Sequence, residues 1–340
     1  MLYILHYDDM LPENTKAIIY KEKNRVSIKE LPLRKLKTGE ILLRVIFCSI
    51  CGSDLRMLKY GHRRVKFPII PGHEILGRIV HSKSKKFSEG DYLLVHPRIA
   101  CRKCSYCKKG DFIHCSNTKS IGFDLPGGFS EFLILPEEVI NGGNLIKIRN
   151  PDKNYTLSEP LACVMRVYNE NLPSGEISII GDGPIAFMHA FFLRANGIKT
   201  KIFGKNKWRM DFFRNKNFEL YEEEIPESSD VVIICASRYS ALERGMRMIR
   251  KGGTIIAFSG IDGVIKNSKS VLNQIHYREL KIEGFHASTP EDMPPAINFI
   301  EKFPSIGELI THEFSLEKFL EGIDILKRKK AMKVVIIPGG

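Results

Sequence analysis

Cys101, Cys104, Cys107 and Cys115 fall within fifteen residues, while the other four cysteines of the chain are scattered. Thiolates two residues apart on a tight turn can point at one tetrahedral centre. A fourth from the next turn closes the shell and leaves no position for water, which makes such a site structural. Four ligands of one soft type suit zinc or an iron-sulfur cluster. The C-x2-C-x2-C-x7-C run lacks the downstream proline of ferredoxin-type clusters, so zinc is favoured. The alternative use of four cysteines, two disulfides, needs an oxidising compartment. Met1 to Met10 holds two Asp and no long apolar run, so neither a signal peptide nor an anchor is expected, and a cytoplasmic location with reduced thiols follows. No later stretch approaches the roughly twenty apolar residues that span a bilayer.

A chain of 340 residues exceeds what one core usually organises, and 43% hydrophobic content is ample for two domains. The formal charge of +13 raises the question of a nucleic-acid partner, but Lys and Arg are spread along the chain and mixed with 39 acids. Such a surface is equally that of a heat-adapted protein. Residues 17–139 show short apolar alternations punctuated by Gly39, Pro71-Gly72, Gly90-Asp91 and Pro126-Gly127-Gly128, the pattern of antiparallel β structure. From residue 177 the texture changes. Apolar strands at 177–180, 201–203, 231–235 and 254–258 alternate with helix-length segments, which predicts βαβ repetition and a parallel sheet. Helices are expected over 295–302 and 314–329, then a last strand over 333–337 that returns to the first domain.

Gly181-Asp182-Gly183-Pro184-Ile185-Ala186 follows a buried strand and opens an apolar helical segment that Gly197 can cap. Gly181 and Gly183 let the backbone turn sharply and approach a pyrophosphate, with Pro184 and Ile185 opening the helix whose positive end receives it. Ala186 stands where the dinucleotide fingerprint has its third glycine, a position that needs only a small side chain. At the end of the second strand, where an acid would accept both ribose hydroxyls and select NAD, the sequence reads Gly204-Lys205-Asn206-Lys207-Trp208-Arg209. Gly204 leaves room, and Lys205, Lys207 and Arg209 supply positive charge for a 2′-phosphate, so NADP is favoured over NAD.

A second constellation lies outside the thiolate run: Cys51-Gly52-Ser53-Asp54 after a strand, and Gly72-His73-Glu74 followed by Gly77. Cys, His and carboxylate together are the mixed ligands of zinc sites with an open fourth position.

With these residues in view, the chain resembles the medium-chain zinc-dependent alcohol dehydrogenases, in the polyol branch that includes sorbitol and threonine dehydrogenases. The likeness runs from about Lys16 to Pro338. It rests on Ile50 to Asp54, Pro71 to Glu74, the thiolate run ending in Lys108-Lys109-Gly110, and Gly127 to Phe132. It continues through Glu159-Pro160-Leu161-Ala162, Gly181 to Ala186, Arg250 to Gly253 and Leu309 to His312.

The resemblance implies an α/β chain: a GroES-like catalytic β domain over 1–160 with a structural zinc lobe at about 97–120, a Rossmann-type doubly wound parallel sheet over 161–300, and a segment 301–340 rejoining the first domain. The active site is then expected in the cleft between the domains. Cys51 and His73 would bind a catalytic zinc, with Glu74 or Glu159 as third ligand, and Asp54 would hold the His73 ring. Ser53 would take the alcohol proton into a relay. The implied reaction is NAD(P)-linked oxidation of a secondary alcohol, a polyol or sugar, by hydride transfer to nicotinamide C4 from a zinc-bound alkoxide, zinc lowering the pKa of bound water from about 16 to about 7. The partner is a small-molecule alcohol, with neither nucleic acid nor membrane, and a homodimer or homotetramer is implied.

Two alternatives stand beside this reading. One is a threonine-type amino-alcohol dehydrogenase. The other, a zinc-ribbon nucleic-acid-binding protein, leaves Cys51, His73, Glu159 and the Gly181 turn unexplained. The chain also departs from the family pattern: Leu55, Arg56 and Met57 stand where some members carry a relay histidine, and Tyr60 or His62 could either substitute for it or serve the surface. Arg166 could meet an acidic or phosphorylated substrate, or pair with Glu170 one helical turn away.

Overall fold

The structure, a computed structural model, describes residues 11–261 and 268–339; the N-terminal segment expected to lack a signal peptide lies outside them. The chain divides into two units. One comprises the residues up to Glu159, Ser288–Leu326 and the chain from Lys333 onward. The other comprises Pro160–Ala287 and Lys327–Met332.

In the first unit β1 (Asn14–Glu22) and β2 (Arg25–Pro32) form an antiparallel hairpin. The chain then runs through β3 (Ile41–Ile50), α1 (Gly52–Tyr60), β4 (Glu74–Ser82) and β5 (Tyr92–Val95). A small antiparallel ladder, β6 (Arg98–Ile99) with β7 (Lys119–Ser120), closes a lobe that contains the one-turn helix α2 (Ser105–Lys108) and all four clustered cysteines. After β8 (Phe132–Leu135), α3 (Glu137–Asn141) and β9 (Leu145–Ile148), helix α4 (Ser158–Met165) leads out of the unit.

In the second unit β10 (Ile177–Ile180), α5 (Pro184–Ala195), β11 (Lys201–Phe203), α6 (Lys207–Arg214), β12 (Ser229–Ile234), α7 (Tyr239–Met248), β13 (Ile249–Ala257), α8 (Ser268–Tyr277) and β14 (Lys281–Gly284) alternate as the sequence pattern predicts. The five strands are parallel, in the order β11-β10-β12-β13-β14. All four residues of β10 are buried, as in a central strand covered on both faces. Ile180, Phe203, Val232, Ile234, Ile255 and Met246 share one apolar cluster.

The chain returns to the first unit with α9 (Met293–Lys302), β15 (Ile310–Ser315), α10 (Phe319–Lys327) and β16 (Lys333–Ile337). β16 pairs parallel with β15 and antiparallel with β3, completing the order β15-β16-β3-β4-β5-β9, with β8 also paired to β3. Two boundaries differ from expectation. The first unit resumes at Ser288 because α9 buries Met293, Ala296, Ile297, Phe299 and Ile300 there, and Tyr155 Oη donates to Glu301 Oε1 at 2.8 Å. Residues 314–315 are strand rather than helix: Ile310-Thr311-His312-Glu313-Phe314 favours a pleated surface, and the helix starts only at Phe319, after a turn in which Lys318 N donates to Ser315 O. Among the described residues no helix is long and apolar enough to cross a membrane.

Candidate metal centres and nucleotide site

The lobe closed by β6 and β7 gathers the sulfur atoms of Cys101, Cys104, Cys107 and Cys115 within 4.8 Å of one another. Helix α2 does part of this locally, since its N-cap is Cys104 and Cys107 follows within the same turn. No disulfide joins the four. Backbone amides face the sulfurs: Cys101 N donates to Cys115 Sγ at 3.2 Å, and the N–H groups of Cys107 and Ser116 pull the Cys104 thiol down to about 6. Burial pushes Cys107 up to about 12. Arg98 anchors the lobe through Ile113 O at 2.6 Å. Four converging thiols, with N–H donors aimed at sulfur, fit a closed tetrahedral zinc site.

The second centre is built where β3 ends and β4 begins. Cys51 is the first residue after β3, and His73 and Glu74 enter β4, which pairs with β3 at Ser49–Glu74. One ligand atom from each of Cys51, His73 and Glu74 lies within 4.8 Å of the others. Asp54 fixes this arrangement with both oxygens. Its Oδ2 accepts from Cys51 N at 2.9 Å, holding the start of α1, and its Oδ1 lies 3.3 Å from His73 Nδ1, outside the angle of a formed hydrogen bond. With Nδ1 facing the carboxylate, Nε2 is the nitrogen turned to a metal, and Ser53 Oγ stands 3.3 Å from it. The phenyl ring of Phe123 lies 5.3 Å from both the His73 and His62 rings.

Lys333, a residue the sequence reading did not single out, completes the centre. β16 and β4 flank β3 on opposite edges, so Lys333 at the start of β16 reaches Glu74 across one strand, 2.5 Å from both Oε1 and Oε2. Burial pushes the Glu74 carboxyl above its ordinary range, against the pull of Lys333 and His73. Burial works against charge on Lys333 as well, but Glu74, Cys51 and Glu159 together outweigh it and the ammonium holds its proton more tightly than usual. The two shifts point opposite ways on whether the pair is ionic. The geometry decides for the ion pair, since the ammonium donates to Oε1 and lies within ion-pair distance of Oε2 as well. Glu159, half-buried on α4, acts electrostatically on both Glu74 and Lys333, yet it lies outside the set of three converging ligand atoms.

The nucleotide turn has the form the motif predicts. Gly181 has φ +143°, and an added Cβ there would lie 3.1 Å from Cys235 Cβ. Helix α5 starts at Pro184 behind the N-cap Gly183, and Ala186 is fully buried. The corner after β11 differs from expectation, because an acid does occupy it. Asp182 Oδ2 accepts from Lys205 N at 2.8 Å and from Asn206 N at 2.9 Å. Arg209, expected to offer its charge to a 2′-phosphate, instead donates twice to Ala331 O, at 3.2 and 3.1 Å, and stands 3.7 Å from Asp182 Oδ1. Lys205 and Lys207 are exposed.

Arg166 is engaged within its own unit. Its guanidinium donates to Ala287 O at 3.3 Å and lies over the Phe285 ring, tying down the segment after β14, and it makes no pair with Glu170 among the described residues. Of the substitute relay groups, Tyr60 is exposed and His62 packs on Phe123; neither is bonded to Ser53 in the structure.

Comparison with known proteins agrees with this geometry. Residues 37–142 match the alcohol dehydrogenase GroES-like domain. D-arabinitol dehydrogenase 1 of Uromyces fabae is 27% identical over 352 residues, covering 96% of this chain and 98% of that protein. L-threonine 3-dehydrogenase of Bacillus subtilis is 28% identical over 342 residues, covering 92% and 94%. A zinc-binding dehydrogenase of Sinorhizobium meliloti 1021, crystallised with NADP, shares the fold with a TM-score of 0.81 at 22% identity, over 96% of this chain and 100% of that one. Residues 37–142 thus carry an alcohol dehydrogenase GroES-like domain, and along nearly its whole length the chain is similar to polyol and threonine dehydrogenases.

Proposed function

We propose that this protein oxidises a secondary alcohol, a polyol or sugar, with NAD(P) as hydride acceptor. The observation that carries the reading is the meeting of Cys51, His73 and Glu74 at the junction of β3 and β4, with Ser53 and Asp54 around the same imidazole. Cys51, His73 and one carboxylate would hold one zinc, and Cys101, Cys104, Cys107 and Cys115 a second. When bound at Cys51, His73 and a carboxylate, zinc supplies Lewis acidity, which eases deprotonation of an alcohol and polarises a carbonyl. The nicotinamide supplies the hydride acceptor.

The protein's own groups divide the remaining work. Asp54 holds His73 in the tautomer that presents Nε2 to a metal. Ser53 Oγ, next to that nitrogen, relays the alcohol proton, taking it up as its own hydroxyl proton passes to water. Lys333 competes with a metal for Glu74, which favours Glu159 as the third ligand. Gly181, Gly183, Pro184 and Ile185 frame the pyrophosphate turn at the N-terminus of α5. A threonine-type amino alcohol is the second reading, supported by the relatives of that name. Assembly from two or more copies belongs to the same proposal. β14 is the last strand in its sheet order and all its residues are exposed, including Ile282, an edge on which a second copy can pair.

The test is a spectrophotometric screen of the zinc-loaded protein, following reduced nicotinamide with NAD and NADP over polyols, sugars, secondary alcohols and L-threonine. Turnover on a polyol, abolished by Cys51→Ala in a protein that still folds, supports the proposal. Turnover on threonine alone selects the second reading.

A further inference from the structure

The residue at the end of β11 in a fold of this type decides how the adenosine ribose is read: an acid there accepts the 2′- and 3′-hydroxyls and rejects a 2′-phosphate. Here that residue is Gly204, and a side chain in its place would meet groups that already occupy the corner. A Cβ on Gly204 would lie 2.2 Å from Met210 Sδ and 2.8 Å from Asp182 Cβ. The space is already filled, and one of the groups filling it is an acid that enters from the glycine-rich turn rather than from the strand. The Asp182 carboxylate is fixed in this corner by the amides of Lys205 and Asn206, the two residues following Gly204.

We propose that Asp182 is the specificity-determining acid of the nucleotide site, taking over from the first glycine-rich turn the ribose recognition that the end of β11 cannot provide, and that the protein therefore prefers the unphosphorylated dinucleotide. The inference rests on the nicotinamide-dependent reading above. Oδ2 is committed to two backbone amides, while Oδ1 stands 3.7 Å from the Arg209 guanidinium, beyond hydrogen-bond distance, and keeps acceptor capacity for hydroxyl groups. The cations that would favour a 2′-phosphate are poorly disposed to outweigh this. Asp182 is 13% exposed, Arg209 at 12% already serves Ala331 O, and Lys205 and Lys207 are solvated. A phosphate dianion brought beside a carboxylate in so sheltered a corner is repelled, whereas two hydroxyls are drawn to it.

The experiment is calorimetric binding of NAD, NADP, 5′-AMP and 2′,5′-ADP to the full-length zinc-loaded protein and to its Asp182→Asn variant, with thermal melting of both. The wild-type protein is expected to bind NAD at least tenfold more tightly than NADP, and 5′-AMP more tightly than 2′,5′-ADP. Asp182→Asn, with its melting temperature retained, is expected to shrink both ratios at least tenfold. Equal weakening of phosphorylated and unphosphorylated ligands would reduce Asp182 to a backbone cap and overturn the proposal. If the variant does not fold, the wild-type ratios still decide: preference for NADP and 2′,5′-ADP, or no preference, overturns the assignment while leaving the dehydrogenase reading intact. Wild-type protein that binds none of the four overturns both.

Discussion

Lys333 Nζ lies 2.5 Å from both carboxylate oxygens of Glu74, in a contact where the two side chains are 4% and 0% exposed. Such a pair adds little net stability over an apolar replacement, but removing one partner strands the other. Lys333→Met is therefore expected to destabilise the protein by about 3–5 kcal/mol, read from chemical denaturation. Adding Glu74→Gln to Lys333→Met should recover much of that loss. A single variant as stable as wild type would show that Glu74 is neutral in the folded protein.

The two ligand clusters predict two zinc ions per chain and independent loss of each. Elemental analysis should give about one equivalent after Cys51→Ser and after Cys104→Ser, with a fall in melting temperature larger for Cys104→Ser, whose site is structural. Because Lys333 already engages Glu74, Glu159→Gln should lower occupancy at the catalytic centre more than Glu74→Gln. The reverse order would make Glu74 the third ligand.

Ser53→Ala removes the hydroxyl 3.3 Å from His73 Nε2 without touching a proposed metal ligand. Turnover is expected to fall by about 10²–10⁴-fold, the usual contribution of a positioned proton acceptor, with zinc content and nucleotide affinity unchanged. Loss of zinc together with activity would assign Ser53 to the upkeep of the site.

His96 and His189 are fully buried, bonded through Nε2 to Ser288 Oγ at 3.2 Å and through Nδ1 to Tyr168 Oη at 2.5 Å, and burial pulls both down to about 3. Between about pH 6.5 and 3 the unfolded chain binds protons that the folded chain refuses. Their stabilising effect is therefore complete above pH 6.5 and lost as the pH falls. Each histidine should cost on the order of 1 kcal/mol per pH unit in that window. Melting temperatures from pH 7 to 5, above the range where carboxylates titrate, should fall in the wild type and fall less steeply in His189→Gln. A flat wild-type profile would mean that these histidines gain protons without unfolding.

Much of this was legible in the sequence because it is local. Cys101 to Cys115 are brought together by one turn of helix and a two-residue ladder, and the turn from Gly181 to Ala186 needs only its own glycines and the helix it opens. The closing strand over residues 333–337 announced itself by its β-branched run. The lysine that begins it was the available signal for Lys333, an isolated charge at the head of an otherwise apolar strand. The partners of Arg166 were not legible, because the carbonyls of residues 286 and 287 are backbone groups some 120 residues away that no side-chain pattern reveals.

The sequence by itself determined the two textures of the chain, the thiolate lobe, the nucleotide turn and the Cys51, His73 and Glu74 candidates, since each depends on spacing and periodicity within a few residues. Only the tertiary structure decided what surrounds them. It set Lys333 on Glu74, 259 residues apart in the chain, because β16 and β4 both pair with β3. It also moved Asp182 into the corner after β11, where Gly204 has no side chain and Met210 packs beside it. Charge at a site is fixed by whichever side chains the packing brings there, and packing joins residues that the sequence keeps far apart.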